Sequence, residues 1–302
     1  MKKYLVLIYL LAAVSGSNAQ ISLPSWKDIN YAGDDKVFHM LDIYLPAEVK
    51  SEYPAVVVIY GSGFMSNNLK QDGFKALGGP LLKSGFAVIC VNHRSSSDSL
   101  FPAQINDIKA AIRFLRAKGK DYQIDTSFIG VTGYSSGGHL SSFTGTSGSV
   151  KIITIGKTTA DTEGKVGKYL NFSSRVDAVV DWYGPTTFLV MDSCGSEMKH
   201  DAADSPESLL VGGPIQQNVD KCAIADPITY VDKNDPPFLI LHGDKDPLVP
   251  WCQSQRLYDA LQKKGVKSEF IVVPGGGHGK GMHIDKYNKM MTDFFLKEAS
   301  KK

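Results

Sequence analysis

Six short runs rich in β-branched residues recur along the chain, and longer stretches with helical periodicity lie between them. Gly, Pro or Asp bounds each run, which is typical of strands buried on both faces of a sheet. Between the second and third runs, residues 102–118 place Ile105, Ile108, Ile112 and Leu115 on one helical face. This alternation predicts βαβ units, and therefore a mostly parallel sheet with helices on both faces. The six predicted strands are residues 55–60, 86–92, 128–133, 176–183, 237–242 and 269–273.

One further strand and two further helices complete the predicted domain. Residues 37–45 alternate apolar and polar side chains, which predicts a half-exposed antiparallel strand at the sheet edge. Residues 257–264 and 287–297 have helical periodicity. The length of the chain predicts one domain over residues 20–302. Residues 186–231 interrupt the alternation, and because so long a loop in a compact domain is usually functional, they predict a cap insertion.

The N-terminal segment has the composition of a secretory signal. Lys2 and Lys3 precede an apolar run over residues 4–14, and residues 17–19 form a small-x-small cleavage site. The apolar run is too short to span a bilayer comfortably, and no second such run follows it. We therefore expect residues 1–19 to be removed and the mature chain to be secreted or periplasmic, without a membrane span.

Charge and cysteine usage narrow the classes of partner. The 33 basic and 31 acidic residues nearly balance, so the charge gives no reason to expect nucleic acid as a partner. The spacing of the four cysteines matches no zinc or redox motif, so we expect no metal and no cofactor. An export compartment permits a disulfide among Cys194, Cys222 and Cys252, and the sequence leaves the pairing open. It gives no signal for an oligomeric state.

A G-x-S-x-G motif lies at the end of the third predicted strand, as Gly133-Tyr134-Ser135-Ser136-Gly137. Between a strand and a helix, this motif predicts a sharp turn that exposes the Ser135 hydroxyl as a nucleophile. The flanking glycines let neighbouring backbone pass close to a strained serine. The N–H of Ser136, near a helix N-terminus, is predicted to point at a developing oxyanion.

A serine nucleophile needs a histidine base, which a carboxylate must orient. His278 follows the last predicted strand in a glycine-rich loop that lets its ring reach the carboxyl edge of the sheet. We favour it over His283, which lies at the start of the last predicted helix. Asp244 and Asp246 both follow the strand at 237–242, and local chemistry does not separate them as the acid.

A second small-residue turn, Gly61-Ser62-Gly63-Phe64, follows the first core strand. The N–H groups of Ser62 and Gly63 are predicted to complete an oxyanion hole with that of Ser136. Three aromatic side chains are predicted to contact the substrate: Phe64, Tyr134 and Trp182.

These motifs resemble the hormone-sensitive-lipase-like and feruloyl/acetyl esterase branch of the α/β-hydrolases, over most of the chain after residue 19. In that family pattern the acid falls at Asp246, and residues 274–279 form the histidine loop. The chain departs from the pattern at Tyr60-Gly61-Ser62-Gly63, where the family often has His-Gly-Gly-Gly. The stretches that carry the resemblance are Phe101-Pro102-Ala103-Gln104-Ile105-Asn106-Asp107, Gly133-Tyr134-Ser135-Ser136-Gly137-Gly138-His139-Leu140, Trp182-Tyr183-Gly184-Pro185 and His242-Gly243-x-x-Asp246-x-x-Val249.

The resemblance implies an α/β-hydrolase fold and a serine carboxylesterase that forms an acyl-enzyme at Ser135. Together with the predicted export, it implies short-chain acyl or feruloyl esters as substrates, as small molecules or on plant polysaccharide. Because the fold alone gives no specificity, a lipase and a serine exopeptidase-like hydrolase are alternatives. A binding protein that keeps the fold without catalysis is an alternative from another class.

Overall fold

A computed structural model of the protein describes residues 23–302. The predicted signal peptide lies outside the described residues. The strands are β1 (Trp26–Asn30), β2 (Met40–Tyr44), β3 (Tyr53–Ile59), β4 (Ala87–Val91), β5 (Ile124–Tyr134), β6 (Ile152–Ile155), β7 (Thr158–Asp161), β8 (Ala178–Trp182), β9 (Phe238–Gly243) and β10 (Ser268–Val273).

Eight of these strands form one sheet in the order β1-β2-β4-β3-β5-β8-β9-β10, and β6 and β7 form a separate hairpin. The pairs from β4 through β10 are parallel, whereas β2 runs antiparallel to both β1 and β4. The six predicted core strands correspond to β3, β4, β5, β8, β9 and β10. The prediction of a mostly parallel sheet in an α/β-hydrolase fold is therefore confirmed.

Two strands differ from their predictions because of their place in the sheet. The predicted edge strand at 37–45 is β2, which is largely buried because β1 pairs with its outer side. The run at 269–273 was predicted to be buried on both faces. It forms β10 at the opposite edge of the sheet, where most of its side chains stay partly or fully exposed.

Helices cover both faces of the sheet, and each face has its own hydrophobic core. On one face, Ile108 and Phe143 pack with Leu257 in the larger cluster. On the other, Leu81 packs in a second cluster with Phe295. The α-helices are α1 (Lys70–Gly73), α2 (Gly79–Lys83), α3 (Ala103–Lys118), α4 (Ser136–Thr146), α5 (Pro206–Val211), α6 (Val219–Ala225), α7 (Cys252–Lys263) and α8 (Asp285–Ala299), with a π-helical turn at Phe74–Gly78 and 3₁₀ turns at Val37–His39, Gly119–Tyr122, Phe188–Val190, Ile215–Gln217 and Pro227–Tyr230.

The long interval at residues 186–231 contains α5, α6 and three 3₁₀ turns. A disulfide between Cys194 and Cys252 joins it to the first residue of α7, whereas Cys222 is free and buried. This settles the pairing that the sequence left open. Within residues 23–302, no helix is both long enough and apolar enough to cross a membrane.

Candidate active site

The turn at Ser135 joins the end of β5 to the start of α4 with a strained backbone. Ser135 has φ 57° and ψ −126°, a conformation that a residue with a side chain rarely adopts. Its N–H donates to the carbonyl oxygen of Trp182 at 2.9 Å, which fixes the turn to the end of β8. The serine side chain is therefore held above the carboxyl edge of the sheet.

Glycine is required around this turn because neighbouring backbone lies in contact with it. A Cβ on Gly137 would overlap the carbonyl oxygens of Ile59 and Tyr60. A Cβ on Gly61, in the turn after β3, would lie 2.8 Å from the Cβ of Ser135. The serine turn and the turn after β3 are therefore packed backbone to backbone.

Three polar side chains form a continuous line of hydrogen bonds at this edge. Ser135 Oγ lies 2.9 Å from Nε2 of His278. Nδ1 of the same histidine lies 2.8 Å from Oδ2 of Asp246. The three residues follow β5, β10 and β9, so the carboxyl ends of parallel strands bring them together. This is the order of nucleophile, base and orienting carboxylate that acyl transfer by serine requires.

The carboxylate of Asp246 is buried, and each of its oxygens is hydrogen-bonded. Oδ1 accepts from the N–H groups of Leu248 and Val249, both at 2.9 Å. Burial raises the pKa of Asp246, but hydrogen bonds and charge from His242 and His278 outweigh burial and hold the pKa below its ordinary value. Asp246 is therefore ionised and faces His278 as an acceptor. The neighbouring Asp244 instead accepts from Gly275 N–H at 2.7 Å, within the histidine loop.

The turn at residues 61–64, which we call the oxyanion loop, corrects one prediction. The N–H of Ser62 donates to the hydroxyl oxygen of Ser136 at 2.9 Å. Because an N–H carries one proton, this group is not free for an oxyanion, and Ser62 does not fit its predicted donor role. Within the described residues, the N–H groups of Gly63 and Ser136 donate to no protein acceptor.

Two of the three predicted substrate contacts need correction. Phe64 and Trp182 are each 0% exposed. Phe64 packs on His139 in the core, and Trp182 lies at the end of a strand covered on both faces. Neither presents a surface to a ligand. Tyr134 is partly buried, with its ring against the oxyanion loop at Gly61.

His283, the rival base, is hydrogen-bonded to Tyr183 and not to Ser135. Its Nε2 lies 2.7 Å from the hydroxyl of Tyr183, whose ring packs edge-on against His278 at 4.9 Å between centroids. Burial lowers the pKa of His283 to about 4. His283 is therefore neutral, and its hydrogen bond supports Tyr183.

His242 is a site neighbour that the sequence reasoning missed. Its Nε2 lies 2.8 Å from the carbonyl oxygen of Val249 and 3.5 Å from Oδ2 of Asp246. The sequence contained a signal for this contact, because His242, Asp246 and Val249 are the named positions of the motif His242-Gly243-x-x-Asp246-x-x-Val249. In the structure, these three residues contact one another through His242. Within residues 23–302, His, Cys, Asp and Glu side chains form no cluster suited to a metal ion.

Comparison with known proteins places this geometry in a family. The BD-FAE family model matches residues 41–261, which is more than half of the chain. The chain belongs to the BD-FAE family. A solved structure similar to this BD-FAE protein is a truncated carbohydrate esterase from gut microbiota, 49% identical with a TM-score of 0.88, and the match covers 91% of this chain and 96% of that one.

Two further comparisons relate this BD-FAE protein to longer chains. The bifunctional GH43-CE protein of Bacteroides eggerthii is 52% identical with a TM-score of 0.87, over 91% of this chain and 35% of that one. Esterase LipQ of Mycobacterium tuberculosis is 26% identical over 242 residues, 80% of this chain and 53% of that protein. The BD-FAE protein thus spans about half the length of LipQ and of similar mycobacterial relatives.

Proposed function

We propose that this protein is a serine carboxylesterase in which Ser135, His278 and Asp246 are the catalytic residues. The observation that carries the proposal is the unbroken line of hydrogen bonds, 2.9 Å and 2.8 Å long, that joins the three side chains. The strained turn at Ser135 supports it, because strain of this kind is kept where it positions a reacting group. The names of several similar proteins agree with it, among them Esterase LipQ and the carbohydrate esterase from gut microbiota.

The reaction proceeds in two acyl-transfer steps. Ser135 Oγ attacks the ester carbonyl while Nε2 of His278 takes the hydroxyl proton and then returns it to the leaving alcohol. A water molecule then attacks the acyl-enzyme by the same route and releases the acid. Asp246 accepts the Nδ1–H of the imidazole, which fixes the tautomer and stabilises the positive charge on the ring.

The negative charge on the carbonyl oxygen needs hydrogen-bond donors beside Ser135. We assign this role to the N–H groups of Gly63 and Ser136, because each points to no other acceptor within the described residues. Ser136 is the first residue of α4, where the helix dipole also favours negative charge. Ser62 has a different role, since its N–H ties the oxyanion loop to Ser136.

Carbohydrate esters are the substrates that we assign to this site. Two solved structures that are 49% and 52% identical to this chain over the matched parts are a carbohydrate esterase and a GH43-CE protein. Of the three aromatic side chains predicted to contact the substrate, Tyr134 is the one that stays partly exposed and can pack on a sugar or an aromatic acyl group. Short-chain acyl and feruloyl groups on plant polysaccharide therefore lead our list of candidate substrates.

Export and a cap belong to the same proposal. The disulfide between Cys194 and Cys252 supports an oxidising compartment, and so a secreted or periplasmic protein with residues 1–19 removed. We assign residues 186–231 as the cap of a single domain over 20–302. Pro206 supports the cap assignment because it lies against Gly63 of the oxyanion loop: its Cγ is 3.3 Å from the point that a Cβ on Gly63 would occupy.

The test is hydrolysis of nitrophenyl esters from acetate to palmitate, with methyl ferulate and acetylated xylan, by wild type and Ser135→Ala. We expect wild type to hydrolyse the short esters or the polysaccharide and Ser135→Ala to hydrolyse neither. A fluorophosphonate probe should label wild type at Ser135. Equal rates in the two proteins would overturn the assignment of Ser135. Preference for palmitate indicates a lipase, and labelling without any ester hydrolysis indicates a peptidase.

A further inference from the structure

A second line of serine, histidine and carboxylate lies in the segment at 186–231, away from Ser135. Ser196 Oγ lies 3.0 Å from Nε2 of His200, and Nδ1 of His200 lies 2.8 Å from Oε2 of Glu207. The residues are 9%, 1% and 3% exposed. The order of serine, histidine and carboxylate and the two distances resemble those around Ser135, with a glutamate in place of the aspartate.

The hydrogen bonds of His200 exclude a second nucleophilic site. Its Nδ1 faces a carboxylate, and its Nε2 lies 2.9 Å from the carbonyl oxygen of Leu248. Ser196 directs its own hydroxyl to the same carbonyl at 2.7 Å. Two acceptors require two donors, so His200 is an imidazolium and has no lone pair with which to take a proton from Ser196.

The charge on His200 has a local cause. Burial lowers its pKa, but the hydrogen bond and charge of Glu207, the carbonyl of Leu248 and the charge of Asp192 outweigh burial, so the pKa lies above its ordinary value. Asp192 also accepts from the His200 backbone N–H at 2.7 Å. The result is a buried ion pair between His200 and Glu207. The Nε2–H of His200 donates to the carbonyl oxygen of Leu248, in the chain that follows β9.

That chain is the loop at residues 244–251, which we call the acid loop. The N–H of Leu248 donates to Oδ1 of Asp246, and the carbonyl of the same residue accepts from Ser196 and His200. One residue earlier, Pro247 accepts from the Glu197 N–H at 2.8 Å. Leu248 is therefore held on one side by Asp246 and on the other by His200.

Glu207 connects His200 to the oxyanion loop. It is the second residue of α5, and the first residue, Pro206, packs on Gly63 of the oxyanion loop. The path Asp246, Leu248, His200 and Glu207 thus runs from the acid loop to the oxyanion loop through hydrogen bonds and the peptide link between Glu207 and Pro206. The oxyanion loop lies against Ser135 at Gly61, and the acid loop reaches Ser135 through Asp246 and His278. A shift in either loop therefore changes the distances on which catalysis depends.

We propose that His200 and Glu207 are positioning residues that hold the acid loop, and with it Asp246, in register with the oxyanion loop. The proposal rests on the function assigned above to Ser135, His278 and Asp246. It gives the segment at 186–231 a second role besides covering the site. Because a buried ion pair by itself contributes little net stability, we assign this pair an orienting role.

The test uses the near-isosteric variants His200→Gln and Glu207→Gln in the full chain. We expect kcat on nitrophenyl acetate to fall about tenfold to a hundredfold, with KM changed less than about threefold, because the geometry of reaction rather than binding is disturbed. In an Asp246→Asn background the same changes should cost less than about threefold, since the residue through which they act is already lost. His39→Gln is the matched control.

His39 is a buried histidine that bridges Asp34 and Asp107, directly before β2, the second strand from the sheet edge opposite β10. His39→Gln should lower the melting temperature and leave kcat unchanged. A readout without turnover is the low-field proton resonance of the His278 Nδ1–H bonded to Asp246. It should persist in wild type and His39→Gln, and be lost or broadened in His200→Gln or, where that variant does not fold, in Glu207→Gln.

The outcomes separate this proposal from the proposed function. Folded variants that keep wild-type kcat, that lose as much activity in the Asp246→Asn background, or that keep the low-field resonance would overturn the positioning role. Wild type without hydrolysis of any ester would overturn the esterase assignment instead. In that case, loss of the resonance in Glu207→Gln still supports the positioning role, and an unchanged resonance overturns it.

Discussion

The backbone N–H of Ser62 donates to the hydroxyl oxygen of Ser136 at 2.9 Å, which ties the oxyanion loop to the helix that starts after Ser135. The bond spans 74 positions of sequence and is partly buried. It leaves the backbone N–H of Ser136 free for its proposed role as an oxyanion donor, while the Ser136 side chain binds the oxyanion loop. Ser136, whose backbone N–H the sequence predicts as an oxyanion donor, thus also holds the opposing loop with its side chain.

Removing that hydroxyl should lower activity without removing a proposed oxyanion donor. Ser136→Ala leaves the Ser62 N–H without its acceptor, at a cost of about 1–3 kcal/mol, so we expect kcat to fall about tenfold. Ser62→Ala is the control, because it removes a side chain but keeps the N–H, and kcat should change less than about twofold. The two variants are compared on nitrophenyl acetate, and equal losses would contradict the assignment.

The choice of acid can be tested with a pair of neighbouring aspartates. Asp246→Asn should lower kcat by about 10⁴-fold, because an amide that donates to Nδ1 of His278 puts the imidazole proton on the side of Ser135. Asp244→Asn should change kcat less than about tenfold, since Asp244 bonds the Gly275 N–H and an amide oxygen can accept the same bond. A larger loss in Asp244→Asn than in Asp246→Asn would reverse the assignment.

The sequence predicted the parts of this structure that depend on local pattern. The core strands follow from β-branched runs, and Ser135 and His278 follow from glycine-rich turns at strand ends, where parallel strands meet. Asp246 could be separated from Asp244 in the sequence by family resemblance alone. The structure separates them by the direction of each carboxylate, which depends on the two turn N–H groups bonded to Asp246.

Other features depend on contacts between distant segments, which periodicity does not report. The bond from Ser62 to Ser136 and the burial of Trp182 arise when separate strands are placed side by side. β1 was not predicted, although it covers the outer side of β2. His200 and Glu207 lie in a segment without regular alternation, so their partners could be found only from the fold.

Acid should destabilise the folded protein before it protonates Asp246. Burial lowers the pKa of His283 and of His139 to about 4, against an ordinary value of 6.5. Between these values the unfolded chain binds protons that the folded protein does not, so stability falls as the pH decreases through this window. We expect each histidine to contribute a loss of about 2 kcal/mol between pH 7 and pH 4.5.

Urea unfolding at the two pH values measures this loss. His283→Gln should reduce it by about 2 kcal/mol, since the variant has no group to titrate there. His39→Gln serves as the control. The pKa of His39 is raised by its carboxylate partners, so its contribution is lost as the pH increases and not in the acid window. The same acid loss in His283→Gln as in wild type would show that His283 titrates normally.

The disulfide between Cys194 and Cys252 should be a main support of the segment at 186–231. It closes a loop over a sequence separation of 58 and joins that segment to the start of α7, directly after the acid loop. Replacing both cysteines with alanine should lower the free energy of unfolding by about 2–4 kcal/mol, because the unfolded chain gains the freedom that the bond removes. Cys222→Ala, which removes a buried free thiol, is the control, and its oxidised and reduced forms should still differ in urea midpoint.

Alkylation of the unfolded wild type should modify Cys90 and Cys222 before reduction and all four cysteines after it. Four reactive thiols before reduction would show that the disulfide is absent. Equal urea midpoints for oxidised and reduced wild type would show that it does not stabilise the folded protein.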